Sequence, residues 1–132
     1  MDIRSYGNYV LYAYGNHSLP SNVADLHHVA AAMGAAMDDL KRPEAYFYEV
    51  GNSANLMYGT SGTALDYSQA SGVPFSYRLE LPDYRYGFLV PPQYVEHINE
   101  ETWQGIAVTA RLGRFYYRAR YSAATTAAPA QS

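Results

Sequence analysis

A layered α/β domain is what this sequence predicts, on three observations. Short runs of β-forming residues alternate with amphipathic helical stretches along its 132 residues. Hydrophobic residues make up 48% of the chain, enough to close a core, and charged residues only 16%. Fifteen tyrosines supply large rings with hydroxyls that need partners when buried, which suits a strand-rich core beside an aromatic-lined cleft. At this length the chain forms one domain at most.

Residues 2–12 read as a strand, with Ile3, Tyr9, Val10 and Leu11 as β-formers. Gly15–Pro20 is a loop. Ser21 or Asn22 then opens a helix running to about Lys41, with Asp25 in its first turn. Its apolar stripe is Leu26, Val29, Met33, Ala36, Met37 and Leu40, spaced as one buried helix face. Tyr46–Val50 reads as a short strand, and the small-residue run Tyr58–Ala64 as a loop before a short helix at 63–69. Phe75, Tyr77, Leu79 and Leu81 alternate as one face of a half-buried strand. Asn99 is placed to cap a final helix, with Trp103, Ile106, Ala107 and Ala110 facing inward and Gly113 weakening or ending it. The tail, residues 121–132, is expected to be disordered, because its Ala/Thr/Pro-rich run from Ala123 has no face to bury.

Several function classes are excluded by composition. With no cysteine, neither thiolate catalysis nor a cysteine zinc site is possible. The net charge of −3 gives no general attraction to nucleic acid or anionic membranes. Arg111, Arg114, Arg118 and Arg120 fall at helical spacing and read as a solvated helix face, with a phosphate-binding patch as the alternative. No stretch approaches transmembrane length, and Met1–Tyr6 lacks the charged leader and apolar run of a signal peptide. His27 and His28, adjacent on a helix, point about 100° apart and cannot share a metal. With His17 in a loop and His97 in a polar segment, all four histidines read as surface residues. Ser61 lacks the Gly-x-Ser-x-Gly setting of a hydrolase nucleophile.

One carboxylate stands out. Glu80 sits opposite the apolar face of its strand, beside Arg78, and leads into the aromatic loop Pro82–Pro92. Taken alone it is either a solvated strand residue, the simpler reading, or a catalytic group at a strand end.

Longer motifs carry a specific resemblance. Ser5-Tyr6-Gly7-Asn8-Tyr9-Val10-Leu11-Tyr12, the segment Tyr58–Ser68, Leu79-Glu80-Leu81, Arg85-Tyr86-Gly87-Phe88-Leu89-Val90-Pro91 and Glu100-Glu101-Thr102-Trp103-Gln104-Gly105 appear in order. In residues and spacing, nearly continuously from Asp2 to about Tyr117, the chain resembles the C-terminal part of the pancreatic-type zinc carboxypeptidases, particularly the insect digestive ones. The resemblance implies part of an α/β/α sandwich with a mixed sheet, residues 1–120 being the C-terminal part of a catalytic domain. It also implies zinc as cofactor, peptide C-termini as substrates and an extracellular setting. Glu80 falls at the family's general base, Tyr58 at the mobile tyrosine that closes over the substrate carboxylate, and Ser5 and Tyr6 at residues contacting the peptide upstream of the scissile bond. Leu65 falls at the base of the specificity pocket, where it implies apolar or aromatic C-terminal residues.

Two positions depart from the family. Arg4 stands where a zinc-ligand histidine is expected, and a guanidinium has no lone pair for a metal. The family's other two ligands, in an HxxE motif, and its carboxylate-gripping arginines lie upstream and are not in this sequence. The chain is therefore expected to be truncated, to supply no zinc ligand and to be inactive alone, with an exposed sheet edge. Arg78 replaces a small polar residue; it pairs with Glu80 and lowers its pKa, or selects acidic C-terminal residues, or reflects drift. A different class remains open: a non-catalytic binder of peptide C-termini, with Arg4 holding the carboxylate. The third option is a purely structural α/β domain.

Overall fold

Strands β1 (Asp2–Ser5), β2 (Tyr9–Tyr12), β3 (Glu49–Asn52) and β4 (Arg78–Leu81) form one sheet in the order β1-β4-β2-β3. The structure, a computed structural model, describes residues 1–121. The expected disordered tail lies, beyond its first residue, outside the described residues. β1 runs parallel to β4, β4 antiparallel to β2, and β2 parallel to β3, so the sheet is mixed as the resemblance implied. Helices α1 (Val23–Asp38), α2 (Ser53–Leu56), α3 (Ala64–Ala70) and α4 (Val95–Tyr116) surround it. Among the described residues no helix is long and apolar enough to cross a membrane.

The two sheet faces are covered differently. On one face Val10, Tyr12, Tyr77 and Leu79 meet Leu26, Val29, Met33 and Met37 of α1, with Leu112 and Tyr116 of α4 packed against the cluster. The alternation of Phe75, Tyr77, Leu79 and Leu81 is borne out, since all four belong to this core or lie against it. On the other face Leu11 and Ala13 pack with Leu65 of α3.

The stretch expected to be one strand at 2–12 is two strands that never pair with each other. A turn at Tyr6–Asn8 passes over the end of β4, where the Gly7 N–H donates to the Leu81 carbonyl at 3.1 Å. β4 thereby enters between β1 and β2. Local β-propensity marks both halves but carries no information on which strand lies between them. The turn uses positive φ at Gly7 (157°) and Asn8 (58°). A Cβ on Gly7 would lie 2.7 Å from a Tyr9 ring carbon. Gly7→Ala is therefore expected to cost about 2 kcal/mol. A lowered urea midpoint with an unchanged slope would show it.

Other boundaries shift for identifiable reasons. β3 covers Glu49–Asn52 rather than 46–50, and Phe47 is left exposed. α1 ends at Asp38, before Lys41, which leaves Leu40 exposed. Asn22 precedes α1 without a side-chain cap. Its amide instead donates to the Pro74 carbonyl at 2.7 Å and accepts from Gln69 at 3.3 Å, tying α1 to the segment before β4.

The final helix departs most. It starts at Val95, so Asn99 is interior, and it continues through Gly113. Its buried residues are Ile98, Glu101, Thr102 and Gly105, whereas Trp103 is 63% exposed and Ala110 is exposed. A large-apolar stripe is the wrong guide because α4 meets α1 through its smallest residue. A Cβ on Gly105 would lie 2.7 Å from the Met37 sulfur and 3.2 Å from Met33. That close approach fixes which face turns inward.

Candidate active site

Glu80 is held by the strands on either side of it. In the parallel register it faces Arg4 of β1, and in the antiparallel register Tyr9 of β2. Only 6% of it is exposed, which overturns the solvated-face reading. Burial pushes its carboxyl above the ordinary glutamate value, against the downward pull of the Arg78 and Arg4 guanidiniums; Asp2 adds to the rise. The expected lowering by Arg78 therefore does not prevail. Arg78 turns toward another acid, its Nε lying 3.5 Å from Asp2 Oδ2. Arg4 Nε donates to the same oxygen at 2.8 Å. Asp2 thus takes both cations, and the buried Arg78 Nε–H is left without a hydrogen-bond acceptor.

The apolar side of the site is built by α3. Thr63 accepts from the Asp66 N–H at 3.1 Å and caps the helix. Asp66 in turn accepts from the Gly15 N–H at 3.0 and 3.2 Å, which ties α3 to the loop after β2. Leu65, 2% exposed, is so pressed onto Leu11 and Ala13. Leu11 is the register partner of Arg78, so Leu65 shares a sheet face with the Arg78–Glu80 row. A cavity of about 240 Å³ opens there, walled by Asp2, Leu65, Ser68, Val73, Ser76 and Tyr77. A larger hollow of about 740 Å³ lies between Tyr14, Thr60–Ala64 and Tyr67 and contains none of the sequence-predicted site residues.

Of those residues, Ser5 faces Leu81 at the end of β1, and Tyr6 packs edge-on to Phe88 with ring centroids 4.9 Å apart. Tyr58 stands on the loop before α3, 66% exposed, and makes no hydrogen bond to the other four. That loop is anchored where the Thr60 N–H donates to the Gly15 carbonyl at 2.9 Å. Glu80 and Leu65 therefore share one face, Ser5 and Tyr6 continue the strand bearing Arg4, and Tyr58 stands apart. Asp2 was missed by the sequence reading; only the β1–β4 register brings it to Arg78.

A second acidic centre lies under α4. Glu101 is 0% exposed and accepts from the Tyr48 hydroxyl at 2.6 Å and the Tyr84 hydroxyl at 3.4 Å. His97 Nε2 lies 3.7 Å from it and is buried, so His97 is not the surface histidine expected. His27 and His28 are exposed and bond different tyrosines, Tyr12 and Tyr116. Arg111, Arg114 and Arg118 are exposed as expected of a solvated face, while Arg120 pairs with Asp25 at 3.1 Å. Among the described residues no three His, Cys, Asp or Glu side chains converge into a metal-holding group.

Comparison with known proteins agrees with this architecture. Residues 1–105 match the family profile described as zinc carboxypeptidase. The chain is 40% identical over 123 residues to carboxypeptidase B of Helicoverpa zea, covering 89% of this chain and 29% of that protein. It is 34% identical over 108 residues to carboxypeptidase O of Bos taurus, covering 80% and 28%. The crystal structure of carboxypeptidase A from Helicoverpa armigera superposes with a TM-score of 0.82 at 45% identity, over 84% of this chain and 28% of that one. The chain thus spans less than a third of the length of either of these two curated relatives. With the mixed sheet, the buried strand carboxylate and the matched segment in agreement, the chain belongs to the zinc carboxypeptidase family.

Proposed function

We propose that this chain forms the part of a carboxypeptidase catalytic domain that receives the C-terminal residue of a peptide. Glu80 is the proton acceptor, Ser5 and Tyr6 lie along the peptide, and Tyr58 closes over the terminal carboxylate. Leu65 gives the cavity an apolar wall, which favours an apolar terminal side chain. One observation carries this reading: a buried carboxylate with an elevated pKa lies on the same sheet face as the Leu65 cavity. An elevated pKa is what a general base needs in order to be an effective proton acceptor near neutral pH. Peptide or protein C-termini are the partners, and the family resemblance favours an extracellular setting.

The family implies zinc, and the position of its expected ligand on β1 does not fit one. Arg4 has no lone pair, and its Nε is committed to Asp2. A catalytic zinc takes three protein ligands and leaves a position for water. No hydrolytic step is therefore assigned to this chain, and alone it is expected to be inactive. Incubated with zinc and peptides ending in Phe or Leu, it should release no terminal residue above the blank by mass spectrometry. Release that disappears in Glu80→Gln would overturn the inactivity.

A further inference from the structure

We infer that the outer face of α4 is a contact surface for a second copy of this chain, packed antiparallel about a two-fold axis at Ala107. α4 turns Ile98, Glu101, Thr102 and Gly105 into the fold. The opposite face of the helix is turned to solvent. At one end of it stand Glu96 and Glu100, both exposed. In the middle stand Trp103, 63% exposed, and the half-buried Ala107. At the other end stand Arg111 and Arg114, followed by Arg118 in the helical turn Tyr117–Tyr121 that continues α4, all three exposed. At about 3.6 residues per turn, the members of this row on α4 lie within about 40° of Ala107 around the helix axis.

The order of charges along the row calls for a partner running the other way. Glu96 and Glu100 are four residues apart, as are Arg114 and Arg118, and Arg111 lies three before Arg114. At those spacings like charges repel along a helix. Among the described residues none of the five is in an ion pair. The helix macrodipole favours charges in the first and last turns only, which covers Glu96 and Arg114 but neither Glu100 nor Arg111. An antiparallel copy centred on Ala107 sets Glu96 opposite Arg118, Glu100 opposite Arg114 and Trp103 opposite Arg111. Ala107 meets its own counterpart, and so small a side chain lets the two helices approach closely. Each like-charged block then faces its opposite. Arg111, Arg114, Phe115 and Arg118 also border a shallow hollow of about 470 Å³. The opposing indole enters it beside Phe115, where guanidiniums can lie over its face. One helix against one helix is a small contact, so the dimer is weak and sensitive to salt.

Trp103 is the single tryptophan of the chain, so its fluorescence reports on this surface directly. The test is sedimentation equilibrium of the full chain, with tryptophan emission, over a series from about 1 μM to 1 mM in low salt. The dimer fraction is expected to rise along the series with a blue shift of the Trp103 emission. Raising the salt from about 0.05 to 0.5 M should weaken association at least tenfold. Glu100→Arg and Arg114→Glu change exposed positions and keep the fold. Each alone should be monomeric, because like charges then meet at both symmetry-related contacts. An equimolar mixture of the two variants sets opposite charges at both contacts again and should recover the dimer with its blue shift. A monomer throughout the series, or a dimer that neither variant weakens, overturns the inference. Association that leaves the Trp103 emission unmoved places the contact elsewhere, such as the β1 edge, and overturns it too. If the parent dimerises and the mixture does not, the register through Ala107 is wrong and the inference falls.

Discussion

Glu101→Ala is expected to remove about 3–5 kcal/mol of folding stability, the largest loss foreseen for a single polar residue here. Glu101 is fully buried and is the acceptor for the Tyr48 and Tyr84 hydroxyls. Removing it strands both hydroxyls away from water and opens a cavity under α4. Thermal or urea unfolding followed by circular dichroism reads the loss; a change below about 1 kcal/mol would show that the cluster is not structural. The same residue sets a pH dependence. Burial raises its pKa, against the hydrogen bond from Tyr48, the His97 ring and the Tyr84 hydroxyl. Burial and the Glu101 charge in turn push the Tyr48 hydroxyl up, and that of Tyr84 up to about 12. A raised folded pKa means that protonation favours the fold. The contribution is complete below the ordinary value of 4.5 and is lost as pH rises through the raised one. Glu80 and Asp38 are raised in the same sense. Glu101→Gln keeps an oxygen for Tyr48 and should flatten this decline in part, leaving the share of the other two acids. Melting curves of variant and parent that stay parallel across pH 4–8 would contradict it.

Leu65→Asp is expected to cost about 3–5 kcal/mol before any question of specificity arises. Here the side chain is 2% exposed and pressed against Leu11 and Ala13, with no cation shown in contact with it. A carboxylate placed there loses its hydration without a partner. Leu65→Ala, by contrast, is expected to cost about 2–3 kcal/mol and to widen the cavity. The two midpoints measured side by side separate a charge penalty from a packing penalty.

What could be read from the sequence follows from the range of each interaction. The α1 stripe through Leu26, Val29, Met33 and Met37 and the alternation through Tyr77 and Leu79 are local patterns, and both form the core. Glu80 and Leu65 were identified through motif resemblance, and the structure places both on one face. Strand order was not legible, because it is set by which strand docks between β1 and β2, a choice that no short window records. Asp2 was overlooked for that reason: its meaning depends on Arg78, far along the chain. Trp103 misled because large apolar residues usually mark the inner face, and here Gly105 does. Glu101 on a helix looks like a solvent-facing acid until Tyr48 and Tyr84 are seen to converge on it.

The turn over the end of β4 has a consequence for how the site varies. Arg4 and Tyr9, which flank Glu80 from its two sides, come from the single stretch Arg4–Tyr9. That stretch works like a pair of callipers closed on one tooth. Shortening, lengthening or stiffening it moves both jaws together, so neither neighbour of Glu80 can be repositioned independently. The carboxylate's surroundings are thus inherited as a unit, and its reactivity can be altered by one short substitution cassette without touching Glu80 itself.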